Sequence, residues 1–187
     1  MSQKIVFMGT PEFAVPTLEQ LLKSNHKILT VYSQPPSKAN RGQKIKPSDV
    51  ELFSKKNSLN VRTPSKLDSD TEYNFIKNLN PDIVVVIAYG KIIPKKFLNL
   101  AKQGFINVHA SLLPKWRGAA PIQRSIMNLD NETGVSIMKI TEDLDTGPVM
   151  HQAKISINQN TDAKILAKVL SQLGAKTLLD SINKIAD

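Results

Sequence analysis

Apolar residues are distributed along the chain as short continuous runs alternating with helical stripes. Ile5-Val-Phe-Met8 is a β-branched and aromatic run that ends on Gly9, which predicts a strand entering a turn. Thr10-Pro11-Glu12 follows with an N-cap, a proline suited to a first helical turn and an early carboxylate. Phe13, Leu18, Leu21 and Leu22 make the apolar side of the helix, Ser24-Asn25 stops it, and Pro16 moves its regular part about a turn later than the cap signal. Residues 28–32 read as a second strand, residues 47–56 as a helix opened by Pro47-Ser48-Asp49, and a short extended piece lies near Val61. Residues 70–79 form a further helix, with Tyr73, Ile76 and Leu79 on its stripe. The unbroken run 83–88 is the pattern of a strand covered on both faces, closed by Tyr89-Gly90. Residues 104–108 give the next strand and 119–128 a helix. Residues 134–140 and 149–157 are two strands joined through a turn that holds Asp145, and 162–185 is a helix aligning Leu166, Val169, Leu170 and Leu173. Strands alternating with helices at this spacing predict an α/β fold with a doubly wound, mostly parallel sheet, and 187 residues suit one domain, 1–187, around one core.

Residues 33–48 interrupt the alternation. They carry Pro35, Pro36, Gly42 and Pro47 with Lys38, Arg41, Lys44 and Lys46 and no acid, so they read as a mobile basic loop too long for a simple connector. The whole chain has 25 Lys and Arg against 16 Asp and Glu, a net +9 that suits a polyanionic partner or simple solubility. No acid occurs in residues 83–129, where Lys91, Lys95, Lys96, Lys102, Lys115, Arg117 and Arg124 would form a positive rim if they face one site. The absence of cysteine excludes disulfide, thiolate and cysteine–zinc chemistry. His26, His109 and His151 stand singly, without the spacing of a helical metal pair, so no metal site is expected. No apolar run approaches bilayer length and no leader pattern precedes Ile5, so a soluble, cytoplasmic monomer with no membrane contact is expected.

Candidate chemistry gathers in Asn107-Val-His109-Ala-Ser111-Leu-Leu-Pro114-Lys-Trp-Arg117-Gly. In an extended segment residues two apart share a side, so Asn107 and His109 converge while Val108 turns to the core. The carboxyl edge of a parallel sheet is where α/β folds hold ligands, and a Pro- and Gly-punctuated loop there reads as a binding loop. Asp145, in Leu144-Asp-Thr-Gly147, is the carboxylate that would complete the set. Taken singly, His109 also fits a packed structural histidine, Asp145 an Asx turn, and Gly9-Thr-Pro-Glu12 a capping turn rather than a dinucleotide loop. Together, a neutral amide and an imidazole suit oxyanion stabilisation. Ser111 lacks the glycine-flanked elbow of a serine nucleophile, which leaves direct acyl transfer with the nucleophile supplied by the substrate.

Asn107-x-His109 with Ser111-Leu-Leu-Pro114, and Asp145 in its Asp-Thr-Gly turn, resemble the signature of the folate-dependent formyltransferases. Gly9-Thr-Pro-Glu-Phe-Ala14, Gln34-Pro35 with Arg41-Gly42, and Arg117-Gly-Ala-Ala-Pro-Ile-Gln-Arg124 resemble the branch that acts on methionyl-tRNA, over nearly the whole chain. The resemblance implies a Rossmann-like formyltransferase fold and transfer of a formyl group from 10-formyltetrahydrofolate to the amino group of methionyl initiator tRNA. It implies Asn107, His109 and Asp145 as the catalytic trio, and donor contacts along Ala88, Tyr89, Gly90, Ser111, Leu112, Leu113 and Pro114. Contacts to tRNA would come from Lys38, Arg41, Lys44 and Lys46. The tRNA enzymes of the family carry a C-terminal barrel-like tRNA-binding domain, which is expected to be absent from this chain. A sugar-nucleotide formyltransferase would share the trio and differ in acceptor, and a non-catalytic folate- or RNA-binding module would keep the scaffold alone.

Overall fold

The computed structural model of the chain describes residues 1–39, 44–158 and 160–186. Apart from Met1, two compact units make it up, Ser2–Phe105 and Ile106–Asp187.

The first unit runs β1 (Lys4–Gly9), a 3-10 turn (Glu12–Ala14), α1 (Val15–Lys23), β2 (Lys27–Tyr32), β3 (Ser37–Ala39), β4 (Lys44–Lys46), α2 (Asp49–Lys56), β5 (Val61–Arg62), α3 (Asp70–Leu79), β6 (Ile83–Ile87) and a second 3-10 turn (Lys95–Phe97). Its main sheet has the order β5-β2-β1-β6, and each of these pairings is parallel. Residues 5–8 and 83–87 are all buried, as continuous β-branched runs must be when both sheet faces are covered. Leu18 and Leu21 of α1, Val50 of α2 and Ile76 of α3 are buried with them. The chain steps outward from β1 to β2 to β5 and then returns to the far side of β1 for β6. Such a reversal opens a crevice at the strands' carboxyl ends, where Gly9-Thr10 and Ala88-Gly90 stand.

Local signals explain most element ends in this unit. Ser48 and Ser69 each accept a hydrogen bond from the N–H three residues on, at Glu51 and Glu72, and so satisfy an orphan donor at the start of α2 and α3. Thr10 departs from expectation. Its Oγ1 donates to the Tyr89 carbonyl at 2.8 Å and accepts from the Gln34 N–H at 3.3 Å, so a 3-10 turn stands where the cap was expected, while α1 opens at Val15 with Pro16 in its first turn, the later start that Pro16 led one to expect. The segment expected to be a loop over 33–48 is also corrected. Its described flanks pair as an antiparallel ribbon, Ser37 with Lys46, Lys38 with Ile45 and Ala39 with Lys44, which satisfies backbone groups without requiring an apolar face.

The second unit contains β7 (Phe105–His109) from Ile106 onward, α4 (Pro121–Met127), β8 (Glu132–Lys139), β9 (Val149–Ser156) and α5 (Ala163–Ala186). Strands β7, β8 and β9 pair antiparallel in that order. Asp162 caps α5 by accepting the Ile165 N–H at 2.7 Å. Leu166, Leu170, Leu178 and Ile182 form the buried row of the helix, whereas Val169, expected on the stripe, is 45% exposed because the row advances by four residues. Gly174 lies in that row, and a Cβ there would come within 2.8 Å of Val108 Cγ1. Glycine therefore lets α5 close directly on β7. Among the described residues no helix is long and apolar enough to cross a membrane.

Candidate active site

Val108 meets α5 at Gly174, so the period of two in β7 sends Asn107 and His109 to the opposite side. Pairing with β8 places Asn107 beside Met138 and His109 beside Ser136. Asn107 is half-buried, and among the described residues its side-chain amide has no hydrogen-bond partner. A pre-positioned donor left open toward solvent can receive charge that develops on a bound carbonyl.

His109 is 7% exposed, with Nε2 2.9 Å from the Trp116 carbonyl and Nδ1 3.6 Å from Asp145 Oδ2. A carbonyl oxygen only accepts, so Nε2 carries a hydrogen, and Nδ1 is the ring nitrogen that faces Asp145. Asp145 is thus near His109 but beyond hydrogen-bond reach, and the direct bond that orients the ring comes from Trp116. The carboxylate does not close an Asx turn on its own backbone. Its Oδ2 accepts the Gly118 N–H at 2.8 Å, tying the β8–β9 connection to the loop after β7. Gly147 makes that connection possible, because a Cβ there would lie 1.9 Å from the Lys139 carbonyl.

The loop from Ala110 to Ala120 is held from beneath by the sheet. Ser136 donates to the Ser111 carbonyl at 2.7 Å and accepts the Leu113 N–H at 3.0 Å, while Gln152 Nε2 donates to the Leu113 carbonyl at 2.9 Å and to Ser136 Oγ at 2.8 Å. Asp130 holds the other side, accepting from Lys115 at 2.7 Å, Trp116 Nε1 at 2.8 Å and Asn128 at 2.8 Å. Burial works to raise the Asp130 carboxyl, but the bonds from Lys115, Asn128 and Trp116 outweigh it and hold the group below the usual aspartate range. Composition offered no signal for a backbone carbonyl such as that of Trp116, whereas Ser136, a buried hydroxyl between Val135 and Ile137, was a readable one.

The residues expected to contact the donor fall into two environments. Ser111 is fully buried with its hydroxyl donating to the Lys115 carbonyl, so its side chain shapes the loop; Leu113 is buried, Leu112 half-buried, and Pro114, after a cis peptide bond, is exposed. In the first unit Ala88 and Gly90 are exposed with φ of 45° and 80°, while Tyr89 between them is buried. Burial first, and then the Glu72 charge, pushes the Tyr89 phenol up to about 12. The Tyr89 carbonyl receives Thr10 Oγ1 at 2.8 Å and Gln34 Nε2 at 3.2 Å, which fixes the turn at the crevice.

Part of the expected positive rim is paired within the protein. Lys96 pairs with Asp68 at 2.7 Å, Lys102 with Asp82 at 2.7 Å and Lys115 with Asp130 at 2.7 Å, and Lys91 donates to the carbonyls of Pro64 and Ser65. Acids outside the acid-free stretch fold back onto it, which its own composition could not reveal. Arg117 and Arg124 stay exposed, as does Lys46. Lys38 and Lys44 stand in the β3–β4 ribbon, and Arg41 lies outside the described residues. Among the described residues, no group of three His, Asp or Glu side chains could hold a metal ion.

Residues 3–182 match the formyl transferase family, and the chain belongs to it. It is 53% identical over 186 residues to the methionyl-tRNA formyltransferase of Pelagibacter ubique (strain HTCC1062), covering 99% of this chain and 60% of that protein. It is 49% identical over 185 residues to the methionyl-tRNA formyltransferase of Coxiella burnetii (strain RSA 331 / Henzerling II), covering 99% and 59%. The chain therefore spans about three fifths of the length of these curated relatives. In fold it resembles the phosphoribosylglycinamide formyltransferase of Bacillus halodurans, with a TM-score of 0.80 at 19% identity over 98% of this chain and 95% of that one. The Rossmann-like α/β fold is shared at a level of identity where side-chain detail has diverged.

Proposed function

We propose that the chain carries the catalytic unit of a methionyl-tRNA formyltransferase, moving a formyl group from 10-formyltetrahydrofolate to the amino group of methionyl initiator tRNA for translation initiation. The observation that carries this reading is the open Asn107 amide on the same side of β7 as His109, with Asp145 next to the His109 ring. The name and identity of the relatives support the choice of acceptor. The protein acts as a cytoplasmic monomer with no metal.

In the proposed reaction the methionyl amine attacks the formyl carbon, forming the new N–C bond as the carbonyl electrons move onto oxygen. Asn107 donates to that oxyanion. His109 Nδ1, the ring nitrogen not bonded to the Trp116 carbonyl, takes the proton released by the amine, and the imidazolium so formed lies against the Asp145 carboxylate. Collapse of the tetrahedral intermediate breaks the bond between the formyl carbon and the folate N10, which receives the proton from His109. Donor contacts are assigned to Ala88, Tyr89, Gly90 and residues 111–114, with Ser111 acting through the shape it gives the loop.

Formyl transfer tests the reading, with 10-formyltetrahydrofolate as donor and methionyl initiator tRNA or a sugar-nucleotide amine as alternative acceptors. Transfer to tRNA supports it; transfer to the small acceptor alone moves the assignment to a sugar-nucleotide enzyme. Lys38, Arg41, Lys44 and Lys46 are assigned to tRNA phosphates. Arg41→Ala is expected to raise KM for tRNA about tenfold and lower the salt slope of binding by about one, leaving KM for the donor unchanged. Equal weakening of both substrates would remove Arg41 from that role.

A further inference from the structure

We infer that Asp130 is a positioning residue for His109, acting through Trp116. The hydrogen bond on His109 Nε2 is made by the Trp116 backbone, and Trp116 holds a left-handed conformation with φ of 58°, which is unfavourable for a bulky side chain unless its surroundings enforce it. What enforces it is visible on the side chain. The indole Nε1–H donates to Asp130 Oδ2 at 2.8 Å, and Asp130 Oδ1 holds the preceding residue through Lys115 Nζ at 2.7 Å.

Asp130 is itself well fixed. Its carboxylate is 5% exposed, Asn128 donates to it, and its N–H donates to the Ser125 carbonyl at 3.0 Å, anchoring it to α4. Lys115 Nζ also lies 5.5 Å from the centre of the indole, and Trp116 lines a pocket of about 250 Å³ together with Leu112, Asp130, Gln152 and Lys154. The relay therefore runs from the α4–β8 connection through an indole to a carbonyl, and from that carbonyl to the imidazole. It selects the tautomer that leaves Nδ1 free for proton transfer.

The inference rests on the reading of His109 as the group that takes the proton, and its test separates the two. Imidazole nitrogens of His26, His109 and His151 in the 15N-labelled full chain are observed by long-range 1H–15N NMR, His109→Gln supplying the assignment, alongside steady-state formyl transfer. Trp116→Phe removes the indole N–H together with part of the ring while keeping an aromatic side chain, and Asp130→Asn keeps the shape of the carboxylate. The wild type is expected to show His109 as a single Nε2–H tautomer. Both variants are expected to show mixed tautomers, a kcat about tenfold lower and an unchanged KM for the donor. Lys115→Met, which leaves the indole bond in place, is expected to retain the single tautomer. A purely structural Asp130 would lower the melting temperature and leave the tautomer alone, and a single Nε2–H tautomer in Trp116→Phe overturns the inference even if Asp130→Asn fails to fold. If His109→Gln keeps full turnover, the functional reading falls while the tautomer still decides the relay.

Discussion

Asn107→Ala is expected to lower turnover about 100-fold or more while leaving KM for the formyl donor nearly unchanged. The amide is half-buried, unpaired among the described residues, and set between the buried Ile106 and Val108 on β7, so it bears little on folding and is already oriented for a ligand. A donor that strengthens its bond only as the formyl oxygen becomes negative acts on kcat rather than on ground-state binding. Deleting it removes on the order of 3 kcal/mol of transition-state stabilisation. Single-turnover formyl transfer with saturating donor isolates that step. Near-normal rates in the variant would take Asn107 out of the mechanism, whereas a loss confined to KM would recast it as a binding contact.

Glu72→Ala is expected to destabilise the first unit by about 3 kcal/mol. Glu72 is 6% exposed and accepts from Tyr32 Oη at 2.6 Å and from Arg62 Nε and Nη2 at 2.9 and 2.7 Å, while the guanidinium lies 4.1 Å from the centre of the Phe75 ring. Removing the carboxylate leaves a buried phenol and a largely enclosed cation without their partner, and that loss exceeds the value of the pair itself. Burial acts to raise the Glu72 carboxyl, but the bonds from Arg62 and Tyr32 outweigh it and hold it below the ordinary glutamate range. With the folded value depressed, this stabilisation is complete above the unfolded value of about 4.3 and fades as pH falls through the folded one. Urea unfolding of wild type and variant at neutral pH and again well below pH 4.3 tests both parts. The difference between them should shrink in acid, and a constant difference would mean that the carboxylate contributes by packing rather than charge.

Much of the architecture could be read from pattern because the features concerned are local. The continuous run of β6 requires two covered faces whatever lies beside it, the Ser-x-x-Glu starts of α2 and α3 satisfy their own first turns, and the alternation of β7 decides which residues share a side. Where expectation failed, a distant partner had intervened. Thr10 is drawn from capping to the Tyr89 carbonyl 79 residues away, and Lys96, Lys102 and Lys115 of the acid-free stretch are claimed by Asp68, Asp82 and Asp130. The paired flanks of the basic segment escaped notice because their strands are only three residues long and carry no alternating apolar face.

The candidate site divides along the same line. Residue types and spacing sufficed to nominate Asn107, His109 and Asp145 and the class of chemistry, since two polar side chains two apart on a buried strand have few structural uses. They could not say which ring nitrogen of His109 carries its hydrogen, what partner Asp145 takes, or that Asp130 and Gln152 brace the loop. Those depend on where backbone carbonyls and N–H groups of remote turns arrive in space. Every residue but proline carries the same backbone groups, so their placement leaves no trace in composition or periodicity. Only closing the chain upon itself assigns them partners.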